Sequence, residues 1–325
     1  MSAILSNKSV LITGGTGSFG QSLVAHLLAD PEVGKVIVFS RDELKQWEMR
    51  QRLQQDPRLR FFLGDVRDHP RMLRAFDGVD VVVHAAALKQ VPATEYNPFE
   101  AVKTNIHGAK NVIDAAIDRK VQRVIALSTD KACSPVNLYG ATKLVSDKLF
   151  VDGNAYAGSK STRLSVVRYG NVVGSRGSVV PLFRSRAASG KLPITDPRMT
   201  RFWITLKQAV DFVMASLGRM QGGEIFVPKI PSMRVVDLAK AIAPEAELET
   251  IGIRPGEKLH EELIAAADSR RTHDCGDYFV IQPDTEWWSG PLPPGSRVSE
   301  EFRYSSDTND HWLGVEEIRQ MISDV

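Results

Sequence analysis

The sequence predicts an α/β fold: a doubly wound parallel sheet of the Rossmann type with a second, smaller α/β domain. Through the first half of the chain, short β-branched runs alternate with longer amphipathic stretches, which is the pattern of consecutive βαβ units. A glycine-rich turn directly follows the first of these runs. From Asn171 onward Gly and Pro become frequent and the amphipathic stretches shorten, which is typical of a loop-rich domain.

Six apolar runs are predicted as parallel strands because each is apolar on both faces, as expected for strands covered by helices on both sides. They cover residues 9–13, 35–39, 59–63, 79–85, 123–128 and 164–169. The stretches predicted as helices cover residues 19–29, 43–55, 70–76, 98–119 and 138–150. Pro70 and Pro98 stand near the starts of their helices, where the missing N–H is tolerated.

The domain boundary is expected to be interleaved. Residues 1–170 are predicted to form the Rossmann domain, and a helix over 208–220 with a strand-like run over 224–227 is expected to return to it, so that 206–228 belong to that domain. Residues 171–285 are predicted to form the smaller domain and residues 286–325 a C-terminal tail. Residues 284–294 are expected to form a loop because they are rich in Pro and Gly.

Composition and charge exclude several classes of protein. Lys plus Arg number 41 against 39 Asp plus Glu, so neither nucleic acid nor an anionic membrane is an expected partner. No apolar run reaches the roughly 18 residues of a membrane helix, and the N-terminus does not read as an export signal. We therefore expect a cytoplasmic protein. The 2 cysteines are too few for a disulfide framework and have no zinc-like spacing, so no metal site is predicted.

The turn after the first strand has the pattern of a dinucleotide-binding loop. Gly14 permits a tight turn, Gly17 lets backbone N–H groups approach a diphosphate, and Gly20 lets the following helix pack closely on the strand. Ser18 and Phe19 stand at the start of that helix, whose N-terminus favours an anion. Strand, glycines and helix occur together, so the sequence favours a dinucleotide site over an ordinary turn.

The end of the second strand favours NADP over NAD. An NAD-binding chain normally carries Asp or Glu there, whereas this strand ends in Ser40 and Arg41, which suit a 2′-phosphate. The alternative is that Arg41 is solvated and Asp42 takes the acid's role. Asp65, followed by Val66 after the third strand, is placed to meet the adenine or to cap a short helix.

Two segments predict the chemistry. Tyr139 and Lys143 are four residues apart, so on a helix they share one face, and the lysine charge is expected to lower the pKa of the phenol. Beside a nicotinamide, such a tyrosine removes a hydroxyl proton while the adjacent carbon loses hydride. The alternative is a packed tyrosine beside a lysine that only extends along the surface. The fifth strand ends in Ser128-Thr129-Asp130-Lys131, which places further polar groups at the same edge of the sheet.

Five motifs carry a resemblance that covers almost the whole chain: residues 13–20 (TGGTGSFG), 84–92 (HAAALKQVP), 127–131 (LSTDK), 137–143 (NLYGATK) and 168–176 (RYGNVVGSR). They resemble the bacterial UDP-N-acetylglucosamine 4,6-dehydratases of the extended short-chain dehydrogenase/reductase superfamily. The runs at 199–205 (MTRFWIT) and 253–258 (IRPGEK) are similar to the C5-inverting branch, which opens pseudaminic acid biosynthesis and flagellin glycosylation.

The resemblance implies a set of catalytic roles. Tyr139, assisted by Lys143, takes the proton of the sugar 4-hydroxyl as NADP⁺ accepts hydride from C4. Lys131 is the base at C5, Asp130 the acid at O6, and Thr129 polarises the 4-ketone. These roles need a neutral lysine beside a protonated aspartic acid, the opposite of what mutual attraction in an ion pair favours.

The resemblance also implies the binding residues. The cofactor is expected to contact Gly14, Gly17, Ser18, Phe19, Gly20, Ser40, Arg41, Asp42, Lys45, Asp65, Val66, Ala85, Ala86, Leu127, Ser128, Tyr139, Lys143 and Val172. The nucleotide-sugar UDP-N-acetylglucosamine is expected to contact Ala85, Lys89, Asn171, Arg176, Val179, Arg201 and Arg254. The three arginines suit the diphosphate because a guanidinium binds phosphate through two parallel hydrogen bonds; for each, a surface ion pair is the alternative.

Other functions stay open at this point. The nearest are a dehydratase with added epimerase action in N-acetylfucosamine capsule synthesis and a UDP-hexose 4-epimerase; dTDP-glucose dehydratases carry Asp-Glu where this chain has Asp130-Lys131. A non-enzymatic alternative is an NADP-sensing regulator on the same fold. Relatives associate as dimers and hexamers, so a homo-oligomer is expected, with a hexamer as the first hypothesis and residues 98–119 and 138–150 as its interface.

Overall fold

The structure is a computed structural model that describes residues 2–53, 56–158, 161–175, 179–286, 288 and 290–323. Within these residues a large twisted sheet carries helices on both faces, and three small sheets stand beside it. None of the helices described in these ranges is both long enough and apolar enough to cross a membrane.

The strands are short, and those of the large sheet are mostly apolar and buried. They are β1 (Ser9–Thr13), β2 (Lys35–Ser40), β3 (Leu59–Leu63), β4 (Val81–His84), β5 (Arg123–Thr129), β6 (Arg163–Tyr169), β7 (Asn171–Val172), β8 (Lys191–Ile194), β9 (Thr200–Ile204), β10 (Ile225–Pro228), β11 (Ser232–Arg234), β12 (Glu247–Thr250), β13 (Glu262–Ile264), β14 (Thr272–Asp274), β15 (Tyr278–Ile281), β16 (Ser296–Arg297) and β17 (Tyr304–Ser305).

The helices begin at polar caps in several cases, such as Asp42, Asp68, Asn137 and Thr205. They are α1 (Ser2–Leu5), α2 (Ser18–Ala29), α3 (Glu43–Arg52), α4 (His69–Ala75), α5 (Val91–Tyr96), α6 (Pro98–Ala101), α7 (Gly108–Asp118), α8 (Leu138–Ala157), α9 (Val179–Ala187), α10 (Leu206–Arg219), α11 (Val235–Ile242) and α12 (Val315–Ser323). A π-helix covers Val102–His107, and 3₁₀ turns cover Asp130–Ala132 and Ala266–Arg271.

The large sheet has the strand order β16-β14-β15-β10-β6-β5-β4-β1-β2-β3. Pairing is parallel from β3 through β10 and antiparallel from β10 to β16. The order reverses between β1 and β4, and ligands of open α/β sheets bind in the crevice that such a reversal opens at the carboxyl ends of the strands. The doubly wound Rossmann fold is therefore confirmed.

The smaller domain has its own core. Its sheets are β11-β9-β7, β12-β8 and β13-β17, and a second hydrophobic cluster joins α9, α11 and α12 through buried residues that include Phe183, Leu238 and Ile318. The structure differs here from the sequence expectation. Strands β14 and β15 extend the large sheet rather than the smaller domain, because the run Tyr278–Ile281 is buried on both faces. The described part of residues 286–325 is likewise joined to the rest of the fold: β16 pairs with β14 at the exposed edge of the large sheet, β17 pairs with β13, and α12 buries Ile318 in the second cluster.

The helix expected over residues 98–119 is interrupted. It consists of α6, the π-helix and α7, and the π turn contains Asn105. The side chain of Asn105 accepts from the Leu88 N–H at 2.8 Å and donates to the Leu88 carbonyl at 2.9 Å. The amide also donates to the Thr142 hydroxyl at 3.0 Å. One asparagine therefore fixes the loop after β4 against α8.

Candidate active site

A cleft of about 740 Å³ lies across the carboxyl ends of the central strands. It brings together segments from the turn after β1 to the loop before β13. Every residue proposed from the sequence for the cofactor or for catalysis lines this cleft. Residues that follow β6 in the chain also line the cleft: Gly170, Trp203, Leu206 and Glu257.

The glycine-rich turn is built for close approach. Gly14 has a φ of +66°, and a Cβ there would lie 2.9 Å from the backbone of Ala86. A Cβ at Gly20 would lie 2.5 Å from the Cα of Gly15, so only glycine lets α2 start so near the strand. The glycines around the N-terminus of α2 therefore expose backbone atoms to the cleft. This is the geometry that binds a diphosphate.

The side chains after β2 and β3 form a polar end of the cleft. Asp42 caps α3, because its Oδ1 accepts from the Lys45 N–H at 3.0 Å and its Oδ2 lies 2.5 Å from Lys45 Nζ. Arg41 is 54% exposed and lies 3.4 Å from Asp65. Asp65 is held chiefly by Arg67, at 2.8 Å. Arg41 is thus an exposed cation at this end of the cleft, while Asp42 is engaged by its own helix.

The catalytic candidates at the end of β5 form one hydrogen-bonded group. The Thr129 hydroxyl donates to Asp130 Oδ1 at 2.9 Å, and the Lys131 N–H donates to Thr129 Oγ1 at 3.3 Å. Lys131 Nζ lies 3.1 Å from the same carboxylate oxygen of Asp130. A 3₁₀ turn over Asp130–Ala132 allows these three consecutive side chains to converge.

Helix α8 carries Tyr139 to this group. Its N-cap Asn137 accepts from the Gly140 N–H at 2.8 Å and donates to the Gly256 carbonyl at 2.7 Å. A Cβ at Gly140 would overlap the carbonyl oxygen of Lys131. The absence of a side chain at this one position therefore lets the Tyr139 helix lie against the turn that carries Lys131.

The electrostatics differ from the expectation for Tyr139. Burial raises the pKa of Tyr139 to about 12, while Lys131 and a hydrogen bond with Thr129 act in the lowering direction. Lys143 was expected to supply that lowering, but burial depresses the pKa of Lys143 itself, with Asp147 opposing the effect. The cation that favours the phenolate in this structure is Lys131.

Lys131 is held between two carboxylates. Its Nζ lies 3.1 Å from Asp130 and 3.3 Å from Glu261, whose side chain is only 3% exposed. Burial and the neighbouring Arg201 lower the pKa of Lys131, whereas Asp130, Glu261 and Tyr139 raise it. The raising effects are larger, so the pKa lies above its ordinary value and the lysine is charged. The ion pair expected to oppose the proposed acid and base roles is therefore present.

The residues proposed for the nucleotide-sugar fall into three groups. Lys89, Asn171, Val179 and Arg254, together with Ala85, line the cleft. Burial and Lys131 lower the pKa of Lys89.

The guanidinium of Arg201 points elsewhere, because it donates to the backbone carbonyls of Thr200 at 2.7 Å and Leu259 at 3.1 Å. Arg201 is not among the residues that line the cleft, and its contact with the diphosphate stays a prediction. Arg176 lies outside the described residues.

Among the residues that line the cleft but were not predicted as site residues are three with side chains that can contact a sugar or a nucleotide. Glu257 lines it with a buried carboxylate oxygen that has no hydrogen-bond partner among the described residues, and it lies 3.8 Å from Arg254. Tyr169 and Trp203 also line it. The RPGEK run contained the signal for Glu257, but nothing in the sequence separates the two aromatic residues from ordinary core residues.

Comparison with known proteins agrees with this geometry. The polysaccharide biosynthesis protein family matches residues 10–283. Over 98% of both chains, the protein is 53% identical to UDP-N-acetylglucosamine 4,6-dehydratase (inverting) from Campylobacter jejuni. It is 43% identical to UDP-glucose 4-epimerase from Rickettsia canadensis over 86% of this chain and 84% of that protein.

Two solved structures show how far the likeness of the fold extends. The structure of Pen from Bacillus thuringiensis has a TM-score of 0.90, with 38% identity and 98% coverage of both chains. DesIV, a dTDP-glucose 4,6-dehydratase from Streptomyces venezuelae determined with NAD bound, has a TM-score of 0.69 with 25% identity, covering 77% of this chain and 86% of that one. The chain therefore belongs to the polysaccharide biosynthesis protein family, in which it stands beside the inverting UDP-N-acetylglucosamine 4,6-dehydratases.

Proposed function

We propose that the protein is a hydro-lyase that removes water from UDP-N-acetylglucosamine across C5 and C6, with oxidation at C4 and inversion at C5. The product is a UDP-2-acetamido-2,6-dideoxy-hexos-4-ulose. The observation that carries the proposal is the convergence of Thr129, Asp130, Lys131 and Tyr139 beside a dinucleotide loop in one cleft. The identity of 53% with an inverting dehydratase supports the choice of sugar.

The cleft fits a nicotinamide dinucleotide. The bare backbone at Gly14 and the start of α2 at Ser18 suit its diphosphate, and DesIV was determined with NAD. We propose NADP for this chain because Arg41 is the exposed cation at the ribose end, while Asp42 caps its own helix. When bound, the dinucleotide supplies an acceptor for the hydrogen that leaves C4 and returns a hydrogen at C6.

Tyr139 is the proposed base for the 4-hydroxyl. Its side chain is buried and hydrogen-bonded to Thr129, and it acts as the phenolate when it takes the proton of the substrate 4-hydroxyl. The charge of Lys131 lowers the cost of the phenolate. Once C4 is a ketone, Thr129 is close enough to Tyr139 to polarise the same oxygen.

The ion pair between Asp130 and Lys131 contains both groups that dehydration needs. Transfer of one proton across the 3.1 Å contact from Lys131 Nζ to Asp130 gives a neutral amine and a carboxylic acid in a single step. The amine takes the C5 proton, the acid gives its proton to O6 as water leaves, and the ion pair is restored. A proton then returns to C5, and inversion requires that it arrive on the opposite face.

The diphosphate and sugar are proposed to lie between the Rossmann domain and the smaller domain. Lys89 lines the cleft from the Rossmann domain, and Asn171, Val179 and Arg254 line it from the smaller domain. Arg254 is more than half exposed, and among the described residues its ion pair is a long contact with Glu257 at 3.8 Å, so it can reorient toward a phosphate.

The decisive experiment is product analysis by NMR in D₂O, with purified protein and UDP-N-acetylglucosamine but no added cofactor. The expected product has a C6 methyl group, a 4-ketone or its hydrate, and deuterium at C5. Simple epimerisation, which the Rickettsia relatives make the second candidate, leaves the 6-hydroxymethyl group intact. A product without a 6-deoxy carbon overturns the proposal.

We further propose that this reaction is the first step of pseudaminic acid biosynthesis, that it takes place in the cytoplasm, and that the active form is a homo-oligomer, with a hexamer as the first hypothesis. Surface apolar residues on α5, α6 and α8, namely Tyr96, Phe99, Val145 and Tyr156, support association through this side. Light scattering that shows only a 35.9 kDa species contradicts the assembly.

A further inference from the structure

Glu261 is a buried carboxylate to which the reaction described above gives no role. Its side chain is 3% exposed, and three cations surround it. Oε1 lies 3.3 Å from Lys131 Nζ and 3.9 Å from Arg201 Nε, and Oε2 lies 3.9 Å from Lys258 Nζ. Oε2 has no hydrogen-bond partner among the described residues. A buried charge is costly unless it is paired, so a carboxylate kept in this position requires an explanation.

The two nearby cations other than Lys131 are already engaged elsewhere. Arg201 donates to backbone carbonyls of its own strand and of the segment before Glu261, including Thr200 and Lys258. Lys258 Nζ donates to the Cys133 carbonyl at 2.5 Å. The shortest contact of Glu261 with a cation is therefore the one with Lys131.

The backbone of Glu261 is fixed on both sides. Its N–H donates to the Ser306 hydroxyl at 2.9 Å, and its carbonyl accepts from the Ser306 N–H at 2.8 Å. The next residue begins β13, which pairs with β17. Lys131 is equally constrained, because its turn lies against Gly140 of α8. Two rigid segments that are 130 positions apart in the chain thus hold one ammonium and one carboxylate together.

We propose that Glu261 is a positioning residue for the dehydration: it shares the ammonium of Lys131 with Asp130, fixes the direction of Nζ, and stabilises the charge that Lys131 gains when it takes the C5 proton. This inference rests on the proposed function. A proton on the carbon beside a ketone is only weakly acidic, so its removal gains from a strong base that is held in place. Asp130 changes its own protonation during the reaction, whereas Glu261 is a second carboxylate that does not exchange protons with the substrate.

The charged and titratable groups that face Lys131 come from four parts of the chain. Asp130 belongs to the same turn, Tyr139 to α8, Glu261 and Arg201 to the smaller domain, and Lys89 to the loop after β4. The two carboxylates and the phenol favour the ammonium, and Arg201 with burial opposes it. Replacing Glu261 by glutamine leaves the opposing influences unchanged and removes one of the two carboxylates, so the pKa of Lys131 falls.

Competitive labelling of lysines with acetic anhydride, followed by mass spectrometry, tests this without requiring turnover, because only the neutral amine reacts. Labelling of Lys131 relative to the exposed Lys207 is measured from pH 7 to 11 in the wild-type protein and in Glu261→Gln. Loss of one close opposite charge is worth about one pKa unit, so about 10-fold faster labelling of Lys131 is expected in the variant at the same pH.

Glu262→Gln is the matched control. Glu262 is the next residue, accepts from the Ser134 hydroxyl at 2.8 Å and lies 3.5 Å from Arg303, so it ties the same segments together without an ion pair to Lys131. Its replacement should leave the labelling of Lys131 unchanged. Equal labelling of Lys131 in wild type and Glu261→Gln, with both proteins folded by thermal melting, overturns the inference.

Kinetics separate this role from a merely structural one. In Glu261→Gln the descending limb of kcat at high pH, where the Lys131–Asp130 pair loses the proton that it shares, should move about one unit to lower pH. A uniform loss of kcat at every pH, with the limb in place, indicates structural damage and refutes the proposal. If the NMR assay shows no dehydration at all, the labelling result still decides whether Glu261 controls Lys131.

Discussion

Gly140→Ala tests whether catalysis depends on the contact between α8 and the turn that carries Lys131. An added Cβ would overlap the Lys131 carbonyl oxygen and lie 3.0 Å from its carbonyl carbon. Both partners are backbone, so the helix and the turn must separate by about 1 Å, a misplacement that typically costs about 100-fold in rate, or about 2.7 kcal/mol of transition-state stabilisation. The helix itself is not weakened, because alanine is the better helix former.

The assay is the initial rate of formation of the 4-keto product, together with cofactor affinity by fluorescence titration. Gly218→Ala in α10 is the control, since its Cβ would meet only the end of the Ile4 side chain, at 3.2 Å. We expect Gly140→Ala to lose about 100-fold in kcat while binding the dinucleotide, and Gly218→Ala to keep its rate. A Gly140→Ala protein within twofold of the wild-type kcat would show that the close packing of Tyr139 against Lys131 does not matter for the reaction.

Tyr139→Phe should lower kcat about 1000-fold because it removes the proposed base, while cofactor binding by titration stays intact; wild-type turnover would exclude the role. Arg41→Ala should weaken binding of NADP about 10- to 100-fold, the loss expected for a charged hydrogen bond, with NAD binding unchanged; equal losses for both dinucleotides would contradict the 2′-phosphate assignment. Burial and Lys143 lower the pKa of His84 to about 3 from 6.5. The unfolded chain therefore binds a proton that the folded one excludes, and the free energy of unfolding should fall by about 1.4 kcal/mol per pH unit below pH 6.5. Denaturant titrations at several pH values should show that the free energy of unfolding depends less on pH in His84→Gln than in the wild type. An identical pH dependence in the two proteins would refute this prediction.

The Rossmann domain was predictable because its signals are local. The strand before Gly14, the glycine turn and α2 are consecutive in the chain, and apolar runs on both faces predict buried parallel strands. The order Thr129-Asp130-Lys131 could be placed at the carboxyl end of β5 for the same reason. Tyr139 follows within one short loop, so the convergence of these proposed catalytic residues could be expected from the sequence.

The rest depended on contacts between distant residues. Glu261 meets Lys131 across 130 positions, and no spacing rule connects two such residues. Arg201 looked like a phosphate ligand, but tertiary structure directs its donors to backbone carbonyls. The expected lowering of the Tyr139 pKa by Lys143 failed because burial, which the sequence does not measure, dominates both groups.

The hydrogen bonds between Ser306 and Glu261 have a consequence for the synthesis of the chain. Residues 304–306 pair with and anchor the segment that meets Lys131, although the dinucleotide loop is complete within the first twenty positions. During synthesis on the ribosome, all residues of the glycine-rich turn are therefore present long before Glu261, the second carboxylate beside Lys131, has been added. Synthesis must proceed past Ser306 before both parts of the proposed catalytic site are present.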